Sequence, residues 1–340
     1  MFQETSEFFE KAGNQRVYFG VFGKHPAWAD HMDDLGMGSP TLVEFKRTIY
    51  LDGIRQALDS GYWRELPDDE KLTEWGHRML VHGEKGLLLA RIWESKDQRG
   101  RSEYPLVAAI HVATGHLPAS LEPLWAVLDH FHGQAVAADS QDDVRAAAAS
   151  TLAQINGAMG QIQPMDEGGL PVGERQQFLS SSAFPAQEVG ISRLLYRVSV
   201  ELKDFLPGRP VVQQTRAFRV PLHADMGGNA LLAYNNLIRT QIARSYQVSQ
   251  IVSPDGSFLD LIVGLLDGQV VRNAKLNLTK LPCITDVPFN IPAETERRIF
   301  DAYSTFSAEP VSEVIVIADP SAREKGTSFF GSIINRFSNR

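Results

Sequence analysis

Residues 79–93 read MLVHGEKGLLLARIW. Two apolar runs flank Gly83-Glu84-Lys85-Gly86, and that composition between them predicts a β-hairpin. The next apolar run, LVAAIHV over 106–112, predicts a third strand, and VYFGVF over 17–22 predicts a buried one. Strands joined by short turns outnumber βαβ units here. The expectation is an α+β fold of mixed, mostly antiparallel sheets flanked by helices.

Helical spacing fills the gaps between these strands. Leu42, Phe45, Ile49 and Ile54 recur at helical intervals over 41–57, and Ser39-Pro40 supplies a cap and a first-turn proline. Further helices are expected over 68–79, 121–132 and the alanine-rich 142–159. In the second half, 216–222 reads as a strand and 229–246 as an amphipathic helix. Strands over 250–252 and 257–264 flank the Pro254-Asp255-Gly256 turn. A last helix is expected over 294–305 and a last strand over 311–318.

Between 161 and 190 periodicity fades, and Gly, Pro, Ser and Gln become frequent. This divides the chain into two α/β units: a domain over 1–160, a linker over 161–190, and a second α+β domain over 191–320. The tail over 321–340 would place Phe329, Phe330, Ile333, Ile334 and Phe337 on one helical face beside Arg336 and Arg340. Such a segment docks on its own core, on a partner or on a membrane surface.

Composition narrows the function. The 340 residues carry a net charge of −8 with no Lys/Arg cluster, which argues against a nucleic-acid face. One cysteine, Cys283, excludes an intramolecular disulfide and suits a reducing compartment. The N-terminal MFQETSEFFEKAGNQR has acids where a secretory signal starts basic, and no run reaches membrane-spanning length. A cytoplasmic protein is expected.

Two loops hold the chemistry: YFGVFGKHPAWADH (18–31) and WESKDQRGRSEYPL (93–106). Gly20 and Gly23 with Lys24 have the wrong spacing for a phosphate loop, and proline follows at Pro26. His25, Asp30, His31, Asp33 and Asp34 are metal-ligand types but lack a ligating motif. No Gly-x-Ser-x-Gly elbow occurs, and Ser180–Ser182 falls in the expected linker. Cys283 sits among prolines and aliphatic residues, as a buried structural cysteine would. What remains is a set of charge pairs, Lys24 with Asp30 and Asp97 with Arg101. Gly100 lets the second loop fold back, so that Arg101 can grip a carboxylate, Asp97 or Asp30. These turns read as a shaped recognition surface.

At these residues the chain resembles the TagF (ImpM) family of type VI secretion accessory proteins. Gly23-Lys24-His25-Pro26-Ala27-Trp28-Ala29-Asp30 follows the family's Gly-Lys-x-Pro-x-x-Gly-Asp, with Ala29 for the last glycine. Ser95-Lys96-Asp97-Gln98-Arg99-Gly100-Arg101 matches Ser-x-Asp-x-x-Gly-Arg at every fixed position, and Pro105-Leu106 follows one residue late. His31 stands where the family has Phe. The resemblance covers about residues 17–130. It implies a non-enzymatic, cytoplasmic, post-translational regulator of the secretion apparatus that binds a forkhead-associated scaffold protein. The candidate partner-binding residues are Lys24, Trp28, Asp30, Asp97 and Arg101; no metal or other cofactor is expected. The alternatives are a metal-dependent hydrolase using His25, Asp30 and His31, and an adaptor for a small GTPase or kinase pathway with the tail as its docking segment.

Overall fold

A computed structural model describes residues 9–12, 15–113, 117–161, 165, 170–184, 187–286, 290–297 and 299. The strands are β1 (Phe9–Ala12), β2 (Gln15–Gly23), β3 (Arg78–Gly83), β4 (Gly86–Trp93), β5 (Leu106–Ala113), β6 (Arg216–Pro221), β7 (Val248–Val252) and β8 (Phe258–Val263). They form one eight-stranded sheet in the order β1-β2-β5-β4-β3-β7-β8-β6. Every pairing is antiparallel. The expected α+β class and the 79–93 hairpin are both present, with Gly83 opposite Gly86 at the turn.

Both faces of this sheet are covered, and the period-two alternation of side chains decides which residue serves which face. Along β4, Leu87, Leu89 and Trp93 join one core, while Leu88, Ala90 and Ile92 join the other. The first core is roofed by α4 (Glu122–Val136), α5 (Gln141–Gln161), α6 (Val172–Leu179), α7 (Gln187–Glu201) and α8 (Ala230–Arg239). The second lies under α1 (Pro40–Lys46), a π-helix (Arg47–Arg55), the short α2 (Gln56–Asp59) and α3 (Tyr62–Glu65), and α9 (Gly268–Asn273). Phe19 meets Phe131 edge-on at 5.3 Å in the first core, and Phe22 meets Tyr50 at 5.6 Å in the second. Each such fully buried side chain contributes about 1.5–3 kcal/mol.

Three expectations are corrected. The two halves do not form separate sheets: β3 of the first half pairs with β7 of the second along Arg78–His82. The stretch 161–190 is not a bare connector, because it supplies α6 and the start of α7 and buries Leu170, Phe178, Leu179 and Phe184 in the first core. In α6 the polar Gln176 and Gln177 face outward, while Arg175 is buried. The helix expected over 68–79 shrinks to one 3₁₀ turn over 68–70, since strand pairing claims residues from Arg78 onward.

Ser39 caps α1 as expected, its hydroxyl accepting from Leu42 N at 3.1 Å. The helix expected over 294–305 lies mostly outside the described residues, and 311–318 and the tail 321–340 lie wholly outside them. Among the described residues, no helix is long and apolar enough to cross a membrane.

Candidate functional site

The first ionic loop leaves β2 and the second joins β4 to β5, and because β5 lies between β2 and β4 in the sheet the two loops meet. Gly23 ends β2 with φ +121°, a backbone conformation open to glycine, and a Cβ there would lie 2.2 Å from the Pro105 carbonyl. Lys24 N donates to that same carbonyl at 3.3 Å, and Met32 N returns to Gly23 O at 2.9 Å. The second loop is a closed turn. Asp97 N donates to Arg101 O, Gly100 N donates to Asp97 O, and Gly100 adopts φ +79°.

The Asp97 carboxylate ties the loops to each other. Its Oδ1 accepts from the amides of Arg99 (2.9 Å) and Arg101 (3.0 Å). Its Oδ2 accepts from Lys24 Nζ (2.8 Å) and Arg101 Nε (2.7 Å). Lys24 is 2% exposed and Asp97 1%. Gln98 N to Trp28 O (2.8 Å) and Ser95 Oγ to Lys24 O (2.7 Å) add two further cross-links.

The expected Lys24–Asp30 pair is therefore secondary. Those atoms stand 3.9 Å apart, while Asp30 lies 2.9 Å from Arg101. Only Asp30 (side chain 63% exposed) and Arg101 (42%) reach the surface. Trp28 is not on a binding face either. It is buried in the first core, edge-on to His25, with Arg145 over its ring at 5.8 Å. Of the five candidate residues, two can touch a partner and three hold those two in place.

The electrostatics follow from this packing. Burial of Asp97 opposes its charge, but the bonds from Lys24, Arg101 and the Arg99 amide outweigh it and hold the carboxyl well below the usual carboxylate range. A group whose folded value is depressed stabilises the fold above its unfolded value, and the gain disappears as the pH falls. Stability should thus drop below about pH 4 more steeply in the native chain than in Asp97→Asn. Denaturant melts of both proteins over that pH range check this, and parallel curves would contradict it.

Beneath the exposed pair lies an aromatic cluster. Tyr104 packs 4.9 Å from His31 and 5.5 Å from Tyr50, and Lys24 Nζ stands 5.6 Å from the Tyr104 ring centroid. Tyr50 comes from the π-helix, an element the sequence reading did not anticipate.

The metal arrangement is not assembled. His25 Nε2 lies 2.7 Å from the Ala135 carbonyl, and its Nδ1 accepts from Ala27 N at 3.1 Å. This fixes the neutral tautomer with both nitrogens occupied, and burial lowers its pKa. His31 and Asp30 bond each other at 3.1 Å at the surface. Among the described residues, no group of three His, Cys, Asp or Glu could hold a metal ion.

Ser182, which the sequence reading placed in the linker, sits 3.4 Å from His223 Nδ1, and Asp225 Oδ1 lies 3.8 Å from that same nitrogen. A relay needs the acid and the nucleophile on opposite ring nitrogens, so this is not a triad. Instead Asp225 accepts from Ser181 Oγ (2.7 Å) and Ser182 N (2.8 Å), and hydrogen bonding from the Ser182 hydroxyl, the Ser181 hydroxyl and the Ser182 amide holds its carboxyl at about 2. No protein-family model matches the chain, and no curated protein matches it.

Proposed function

We propose that this chain is a non-enzymatic regulator that acts by protein–protein binding within a type VI-like secretion apparatus. The observation that carries the reading is the clamp. A buried Lys24–Asp97 pair fixes the two loops and presents Asp30 and Arg101 at the surface. The motif residues that resemble the TagF family are those that build it. From that resemblance, the partner is a forkhead-associated scaffold protein.

The metal-hydrolase reading loses its support at His25, whose two nitrogens are occupied. The adaptor reading rests on the tail, which lies outside the described residues.

Asp30→Lys separates binding from folding. Asp30 is an exposed partner of Arg101, so its loss should cost less than about 1 kcal/mol of stability. Reversing a rim charge should lower scaffold capture by about tenfold or more. The measurement is capture of the scaffold by the tagged full chain from cells that encode the apparatus, alongside a thermal melt. Absence of any secretion-system component, or equal capture by the variant, overturns the proposal.

A further inference from the structure

A cleft of about 710 Å³ opens beside the clamp, within the size range of small-molecule sites, roughly 300–1,000 Å³. Pro26, Ser95 and Lys96 of the two loops line one side, and Trp63, Leu72 and Trp75 line another. Trp63 and Trp75 meet edge-on at 5.6 Å. Val136, exposed at the end of α4, adds apolar surface.

Lys275 also lines this cleft and is 7% exposed. Its ammonium donates to the carbonyls of Thr73 (2.8 Å) and Glu74 (3.1 Å) and stands 4.7 Å from the Trp75 ring centroid. An ammonium has three donors, and the third finds no acceptor among the described residues. No carboxylate there comes within ion-pair distance of it either. A buried cation without a bonded counter-charge is costly, and here two neutral carbonyls, a ring face and the more distant Glu94 and Glu74 carboxylates offset part of that cost.

The charge of the lining points the same way. The lining carries Arg64, Lys71, Lys96 and Lys275 against Glu94 and Glu103, and Lys71 is paired outside it with Asp68 at 2.7 Å, in a chain whose net charge is −8.

We propose that this cleft binds a small organic carboxylate on an aromatic or apolar body, with the carboxylate on Lys275 and the body against Trp75. The inference does not rest on the docking reading, and its failure would leave that reading intact.

Proton linkage follows from the setting. Burial pulls Lys275 down to about 8, Glu94 and Glu74 favour its charged form, and Lys71 opposes it. His25 and His132 also line the cleft, and burial lowers both, so they stay neutral above pH 7. Between about pH 7 and pH 9.5 the change that matters is loss of the Lys275 proton, and affinity for an anion falls with it.

The test titrates the full chain with 3-phenylpropionate, followed by tryptophan fluorescence and ligand-observed NMR, with 3-phenylpropionamide as the uncharged control. Binding is expected near or below about 1 mM at pH 7, in keeping with a ligand of this size. The amide should bind about tenfold more weakly, as should the Lys275→Met variant. Raising the pH to about 9.5 should weaken carboxylate binding several-fold, approaching the loss expected for Lys275→Met, and this arm needs no variant to fold. Absence of saturable binding up to about 10 mM, equal binding of the amide, or a flat pH response overturns the proposal.

Discussion

Asp260→Ala is expected to remove about 3–5 kcal/mol of folding stability, as loss of one partner from a buried ion pair does. Arg219 and Asp260 face each other across β6 and β8. Arg219 Nε donates to Oδ1 at 2.7 Å and its Nη2 to Oδ2 at 2.9 Å, a bidentate fork inside the protein. The remaining donors reach the carbonyls of Asn273, Leu276, Asn277 and Leu281, and the Phe258 ring centroid lies 3.6 Å from the guanidinium carbon. Without Asp260 the guanidinium stays buried with carbonyl partners only. Arg219→Met should cost at least as much, because four carbonyls lose donors and the 273–281 segment that carries Lys275 is released. Urea unfolding of the variants measures both losses. A change below about 1 kcal/mol for Asp260→Ala would show that the pair is dispensable.

That clamp was not legible in the sequence, and the reason is physical. Arg219 and Asp260 are 41 residues apart, and only the β6–β8 register makes them neighbours. Local features were legible wherever local physics decides. The Gly83–Gly86 turn, the Ser39 cap and the Asp97–Arg101 pair lie within a few residues of their partners, and each formed as expected. Lys24 was assigned to Asp30 because they are close in sequence. The sheet instead sets β2 beside β5, which brings the loop after β4 to Lys24 and makes Asp97 its partner.

The same limit explains the division into halves. Composition over 161–190 reports polarity, whereas burial of Phe178 and Phe184 depends on which helices pack over the sheet. Alternation is also masked when a strand is covered on both faces. Every residue of β7 and of β8 is buried, so neither strand shows a polar face that would mark its place. The π-helix packs closely on a distant element too: a Cβ on Gly53 would meet the Val271 side chain of α9 at 2.6 Å. Trp28 was a candidate for partner binding. Its burial follows from the His25–Ala135 bond, which draws the loop against α4.

Gly23→Ala is the sharpest probe of the clamp. The residue sits at φ +121° where β2 passes into the loop, and an added Cβ would meet the Pro105 carbonyl oxygen at 2.2 Å and Leu106 Cα at 3.1 Å. Both obstacles are backbone, one at the first residue of β5 and one at the proline before it, so no side chain can move aside. The variant should lose about 3 kcal/mol or more and melt at least several degrees lower. Lys24 would be carried away from Asp97, so on the proposed docking function capture of the scaffold should fall along with stability. Gly100→Ala is the matched control. It has the same left-handed backbone, at φ +79°, but no heavy atom lies within 4 Å of its added Cβ. Only the conformational cost applies, about 1 kcal/mol. Thermal melts and capture assays on both variants therefore read the close approach of the loops apart from backbone strain. Equal losses at the two glycines would mean that contact with Pro105 does not hold the first loop, and the clamp would then rest on its charges alone.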